Sequence, residues 1–207
     1  DLTQQAVDRP GALGPAGAQT EASNVESVFA RALGLLRGGD TTQAILEFQL
    51  LTQSQPELVA PYFNLGIAQR RAGQFAESAA AFEAAAGRAP SNAAVLTELG
   101  VALREAGRFA DARAAYTRAV EADPNYAPAY RNLGTLLDLY LSDPAAALAA
   151  FETYQSLTGE DKPVSGWIAE LKQRVGRSEP QAQPDAAPPT NEGPAAESAP
   201  AQPGAMP

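Results

Sequence analysis

Residues 92–125 read NAAVLTELGVALREAGRFADARAAYTRAVEADPN, and residues 58–91 just before them read LVAPYFNLGIAQRRAGQFAESAAAFEAAAGRAPS. Placed one beneath the other they agree column by column: Leu65-Gly66 with Leu99-Gly100, Gly73 with Gly107, Phe82 with Tyr116, Pro90 with Pro124. The 34-residue step continues outward through Asn24–Glu57 and Tyr126–Gly159, carrying Gly39, Phe48 and Pro56 upstream and Leu133-Gly134 downstream. A period of this length, with a small residue, an aromatic and a closing proline in fixed columns, marks stacked helical hairpins. Each hairpin needs its neighbour to bury its apolar face.

Inside one unit the columns carry a packing logic. In the third, Val95, Leu96, Leu99 and Leu103 keep helical spacing up to Gly107, which ends a first helix. Ala112, Ala115, Tyr116, Ala119 and Val120 define a second helix, closed by Asp123-Pro124. Gly100 and Ala112 are small because two helices cross there, and Tyr116 and Leu99 fill the layer between hairpins. Pro124 cannot continue the helix, so the chain turns into the next unit.

This pattern resembles the tetratricopeptide repeat family. It is nearly complete in the second unit (Tyr62, Leu65, Gly66, Gly73, Phe75, Phe82, Pro90) and in the third (Leu99, Gly100, Gly107, Phe109, Ala112, Tyr116, Ala119, Pro124). The resemblance covers roughly residues 24–157. It implies an all-α fold: an α-solenoid of four helix-turn-helix repeats with a C-terminal capping helix and disordered termini. The first and fourth units are degenerate. The first has Arg31-Ala32 in place of Leu-Gly and doubles its turn as Gly38-Gly39, as a terminal repeat can. The fourth replaces the turn glycine with Leu141-Ser142-Asp143-Pro144 and slips by one residue, so that Phe151 stands where Ala150 is expected. Asp143 reads as a helix cap with Pro144 at the first helical position.

The repeat domain is expected over residues 23–176. The capping helix within it spans 163–175, where Val164, Trp167, Ile168, Leu171 and Val175 share a stripe and Trp167 is a packing anchor. Residues 1–22, with Pro10, Gly11, Gly14, Pro15 and Gly17, read as a flexible leader. The segment from 177 to the end is proline- and alanine-rich without an aromatic residue, too poor in apolar surface to offset the entropy of ordering. It reads as a disordered tail, either a bare solvated terminus or an arm that reaches a partner.

The formal charge of −9 argues against a nucleic-acid or anionic-membrane footprint. There is no Cys and no His, which excludes disulfides, thiolate and imidazole chemistry and the usual zinc sites. No phosphate loop, calcium loop or nucleophile–base pair is present, so no catalytic residue, metal or cofactor is expected. No apolar run is long enough to span a bilayer. The first residue is Asp1 and the only methionine is Met206, so something upstream is expected to have been removed, either a targeting peptide or part of a longer chain, and a lipid-anchoring cysteine could have preceded this start. That expectation places the protein in the periplasm or at the outer membrane of a bacterium, with the cytoplasm as the alternative. Within it, the chain resembles repeat lipoproteins that help assemble pilus, secretion or energised membrane complexes.

The first helix of each hairpin should line the inner surface of such an array. Its candidate partner-binding residues are Phe29, Leu33 and Leu36, then Phe63, Asn64, Ile67 and Arg70. They continue as Thr97, Glu98, Val101 and Arg104, then Arg131, Asn132, Thr135 and Asp138. An apolar floor at the N-terminal end gives way to polar and charged groups, suited to an extended or helical peptide with a carboxylate near Arg70, Arg104 or Arg131. Phe29 and Phe63 have a second reading, as packing between neighbouring first helices. Asn64 and Asn132 can bond either a peptide backbone or the adjacent helix. Chaperone-binding members of the family hold a C-terminal carboxylate with a basic clamp. Here Asn64 matches one clamp position, but Phe29, Leu33 and Glu98 stand where clamp residues are needed, so that role is not expected. The function expected is that of a scaffold, monomeric on its own, with another protein as partner. The alternative is a self-associating structural oligomer.

Overall fold

The computed structural model describes residues 15–178. Among them are nine α-helices and no strand: α1 (Pro15–Gly38), α2 (Thr41–Ser54), α3 (Val59–Arg71), α4 (Phe75–Arg88), α5 (Ala93–Glu105), α6 (Phe109–Ala122), α7 (Ala127–Leu139), α8 (Pro144–Thr158) and α9 (Val164–Ser178). Consecutive helices pair as hairpins. α1, α3, α5 and α7 also touch one another in order, forming one layer, while α2, α4, α6 and α8 form the other. α9 closes the C-terminal end against α8. This is the all-α solenoid of four hairpins and a cap.

One contact, repeated along the array, explains the small-residue column. A Cβ built at Gly66 would stand 2.7 Å from the Phe82 ring, and one at Gly134 3.0 Å from the Phe151 ring. At Gly100 it would collide with the ring of Tyr116. The aromatic of each second helix thus lies against bare backbone of the first, and Phe48, Phe82 and Tyr116 are fully buried. In the first hairpin Ala32, also fully buried, holds the glycine's place.

The slip in the fourth hairpin is compensated in space. Three residues separate α3 from α4 and α5 from α6, whereas four separate α7 from α8. The extra residue carries Phe151, not Ala150, over Gly134. The left-handed turn that Gly73 (φ 75°) and Gly107 (φ 76°) make in their hairpins falls here to Ser142 (φ 53°).

Helix starts are capped where the chain offers an acceptor: Asp40 accepts from the Gln43 amide, Asn92 from Ala94 and Val95, and Asp143 from Ala146. Polar contacts pin the helices within a hairpin and one hairpin to the next. Ser78 Oγ, buried, donates to the Gly66 carbonyl at 2.8 Å, and Arg71 donates to the Leu36 carbonyl at 2.9 Å. Arg88 lies 3.9 Å over the Tyr62 ring, donates to its hydroxyl at 3.0 Å and also to the Pro56 carbonyl. It ties the end of α4 to the loop entering α3.

Two boundaries differ from those expected. α1 begins at Pro15, inside the segment read as leader. Proline is well placed as a first helical residue, and Ala16, Ala18, Gln19, Glu21 and Ala22 are helix formers that carry no apolar stripe. Periodicity therefore missed a helix that propensity supports. α9 runs to Ser178, beyond 175, with Val164, Ile168 and Leu171 buried and Trp167 half-buried 5.3 Å from the Phe151 ring. The remaining leader residues, 1–14, and the tail from 179 onward lie outside the described residues.

Candidate partner-binding groove

The candidate residues stand on the layer of first helices, and the structure sorts them by what they already touch. Positions 29, 63, 97 and 131 form one column. Phe29 meets Phe48 edge-on at 5.8 Å between ring centroids, and Phe63 meets Phe82 at 5.4 Å. Both phenyl rings pack on the second helix of their own hairpin. Leu33 and Ile67 are half-buried against the core, and Leu36 and Val101 are buried. The apolar floor is thus mostly core surface.

In the third hairpin the phenyl pair is replaced by Thr97 and Tyr116. Thr97 Oγ1 and the Tyr116 hydroxyl are both buried with no hydrogen-bond partner. The Arg104 guanidinium lies beside Tyr116 and favours its phenolate, but without an aligned bond from Arg104 Nε, which is itself buried and unpaired. Burial outweighs this attraction and pushes the Tyr116 hydroxyl up to about 12.

Charged residues bridge adjacent first helices. Arg70 Nη1 on α3 lies 2.9 Å from Glu98 Oε2 on α5, close enough for an ion pair though not aligned as a hydrogen bond. Arg104 on α5 reaches toward Tyr140, Nη1 lying 3.5 Å from the hydroxyl. Asp138 on α7 pairs with Arg174 on α9 at 2.5 Å. Arg70 and Asp138 are therefore engaged within the chain, and Arg104 is half-buried.

The remaining residues are less committed. Asn64 Nδ2 donates to the Ala60 carbonyl at 2.9 Å and Asn132 Nδ2 to the Pro128 carbonyl at 2.8 Å. Each is a bond back to its own helix that leaves the amide oxygen and a second hydrogen available. Thr135 Oγ1 donates in the same way to the Arg131 carbonyl. Arg131 is exposed, 6.0 Å over the Trp167 ring, and among the described residues no carboxylate pairs with it.

Sequence reasoning missed Tyr140, Trp167 and Arg174 as inner-layer neighbours. The signal was present: Trp167 stands one period after Leu133, while Tyr140 and Arg174 stand 36 residues after Arg104 and Asp138. α9 thus takes the place of a fifth first helix. Among the described residues no group of three His, Cys, Asp or Glu side chains is placed to hold a metal ion, and no helix is long and apolar enough to cross a membrane.

Residues 63–127 match the tetratricopeptide repeat family model. Among solved structures, a MamA protein superimposes with a TM-score of 0.69 at 19% identity, over 75% of this chain and 84% of that one. PilF of Pseudomonas aeruginosa gives 0.64 at 22% identity, over 75% and 71%. The first TPR of Spaghetti (RPAP3), bound to the HSP90 peptide SRMEEVD, gives 0.53 at 18% identity, over 57% and 93%. No curated protein matches the chain. At these identities the likeness is one of fold.

Proposed function

We propose that this tetratricopeptide-repeat array is a non-catalytic scaffold that holds a segment of another protein along α3, α5 and α7. One observation carries the reading. Asn64, Asn132 and Arg131 occupy the inner layer with bonding capacity left over, while the apolar residues around them are half-buried and fixed by the core. Such a wall is pre-organised and limits the ordering cost of binding. A solved structure of similar fold that is bound to a peptide supports a peptide-holding role. A carboxylate of the partner would meet Arg131, because Arg70 already has Glu98. The setting we propose is a bacterial cell-envelope assembly of the pilus, secretion or energised-membrane type, with the protein periplasmic or anchored by lipid to the outer membrane.

The test is selection of ligands from a random peptide library, followed by titration against wild type and an Asn64→Ala/Asn132→Ala/Arg131→Glu variant of unchanged melting temperature. Selected peptides should lose about tenfold or more in affinity, the scale of one or two hydrogen bonds. Equal affinity would move the binding surface elsewhere. Fractionation of source cells with an antibody tests the location: recovery in the cytoplasmic fraction alone would remove the envelope setting.

A further inference from the structure

The two ends of the array are finished differently. At the C-terminal end α9 buries Val164, Ile168 and Leu171 and leaves Glu170, Lys172, Gln173 and Arg177 exposed. At the N-terminal end nothing among the described residues covers the first hairpin. Val25 and Val28 occupy the columns of Val59 and Tyr62 in α3 and of Ala93 and Leu96 in α5. In those helices the preceding second helix lies against this face: Tyr62 donates to the Thr52 carbonyl, and Leu96 is fully buried. In α1 the same columns border an open cleft of about 490 Å³ between α1 and α2, walled by Val25, Val28, Leu50 and Leu51 and crossed by the 2.6 Å Arg31–Glu47 pair.

α2 also projects what such a cleft takes. Leu46 is 49% and Leu50 60% exposed. In the corresponding columns α4 has Ala80 and Ala84, and α6 has Ala114 and Arg118. At these two columns α2 thus carries leucines where α4 and α6 do not, and Leu50 is both a wall of the cleft and a knob beside it.

We infer that this face pairs with the same face of a second copy, across a two-fold axis that sets each Leu50 over the other copy's cleft. A surface holding a hole and its knob side by side is self-complementary, the condition an isologous interface imposes. Charge is compatible: residues 23–55 carry three acidic groups (Glu26, Asp40, Glu47) and two basic ones (Arg31, Arg37). Arg31 and Glu47 present opposite signs across the axis. Head-to-tail growth is disfavoured by the polar outer face of α9, so the pair is closed. α1 spans about 36 Å and α2 about 21 Å, each about 10 Å across. The buried area would fall near the lower end of specific interfaces, about 1,200 Å² in all, giving a concentration-dependent dimer. The chain's own residues 1–14 are a poorer occupant, since Leu2, Val7 and Leu13 are their only large apolar side chains. The inner layers of both copies stay open, so two grooves could engage one assembly together. This pairing departs from the monomer expected of the sequence.

Sedimentation of the full chain from about 1 µM to 1 mM tests it, beside Leu46→Glu/Leu50→Glu, whose side chains are exposed enough to leave folding intact. The wild type should approach twice 21.5 kDa with rising concentration while the variant remains at 21.5 kDa. Because the chain has no cysteine, Ser54→Cys at the cleft and Glu170→Cys on α9 add a positional check. Oxidation should cross-link the first at least tenfold faster than the second. A wild type monomeric at 1 mM, dimerisation unaffected by the leucine changes, or equal cross-linking would each overturn the proposal. So would a dimer seen only after deletion of residues 1–14, which would make that segment the occupant.

Discussion

The ring of Tyr116 lies directly against the backbone of Gly100, its Cδ1 2.6 Å from where a Cβ would be. Any larger residue must displace a fully buried aromatic. Gly100→Ala should lower stability by about 1–3 kcal/mol despite the better helix propensity of alanine. Gly66→Ala, against Phe82, should follow it, and Gly134→Ala, where the contact is 3.0 Å, should cost least. Gly34, with open space around it, should instead gain about 0.5–1 kcal/mol as alanine. Denaturant midpoints give the ranking, and a stabilised Gly100→Ala would contradict the packing described.

Tyr116 also sets an alkaline limit. Its hydroxyl is raised from 10.0 to about 12 by burial, so the folded state keeps a proton that the unfolded chain loses first. The contribution is fully present below pH 10 and disappears as pH rises to 12, a loss of about 2–3 kcal/mol. Tyr126 and Tyr154 are raised as well, Tyr126 chiefly by burial and Tyr154 chiefly by its bond to Glu160, so the comparison has to be made within one site. Tyr116→Phe should be near-neutral at pH 7, since the hydroxyl has no aligned partner, and should flatten stability between pH 10 and 12 relative to wild type.

Arg88 is held by its planar fork as much as by its charge. Arg88→Lys should cost about 1–2 kcal/mol, because an ammonium cannot cover the Tyr62 ring while bonding both its hydroxyl and the Pro56 carbonyl. Amide exchange should speed up first in the loop between α2 and α3. Unchanged exchange there would mean the contact carries no stability.

Trp167 is shared between the cap and the inner layer. Trp167→Ala should cost about 2–3 kcal/mol by removing a half-buried aromatic from Phe151. Exchange protection should fall in α8 and α9 and persist in α1–α4, because contacts in such an array are local. A uniform loss along the chain would instead indicate one cooperative unit.

The hairpins were legible because the columns encode burial: Gly66, Gly100 and Gly134 are small where a ring presses, and Phe82, Tyr116 and Phe151 supply the rings. The N-terminal turns of α1 were not, since residues 15–22 show propensity without an apolar stripe. Within the groove, spacing identified the helices that carry Arg70, Glu98, Arg104 and Asp138 but not their mutual contacts. A column fixes the side of a helix a residue occupies. The reach of an arginine across to the next helix depends on helix separation and rotamer, which no single-chain periodicity contains.

The extra residue between α7 and α8 bears on how such proteins are recognised at all. What recurs along this solenoid is the seating of an aromatic ring on bare backbone, and the count of residues between them is free to vary by one when the turn absorbs it. The family model matches only as far as residue 127, where the fourth hairpin begins, although that hairpin is built on the same contact. A fixed 34-residue ruler would set Ala150 over Gly134, where the structure sets Phe151. A pattern that lets the ring and its glycine drift together describes the second, third and fourth hairpins alike.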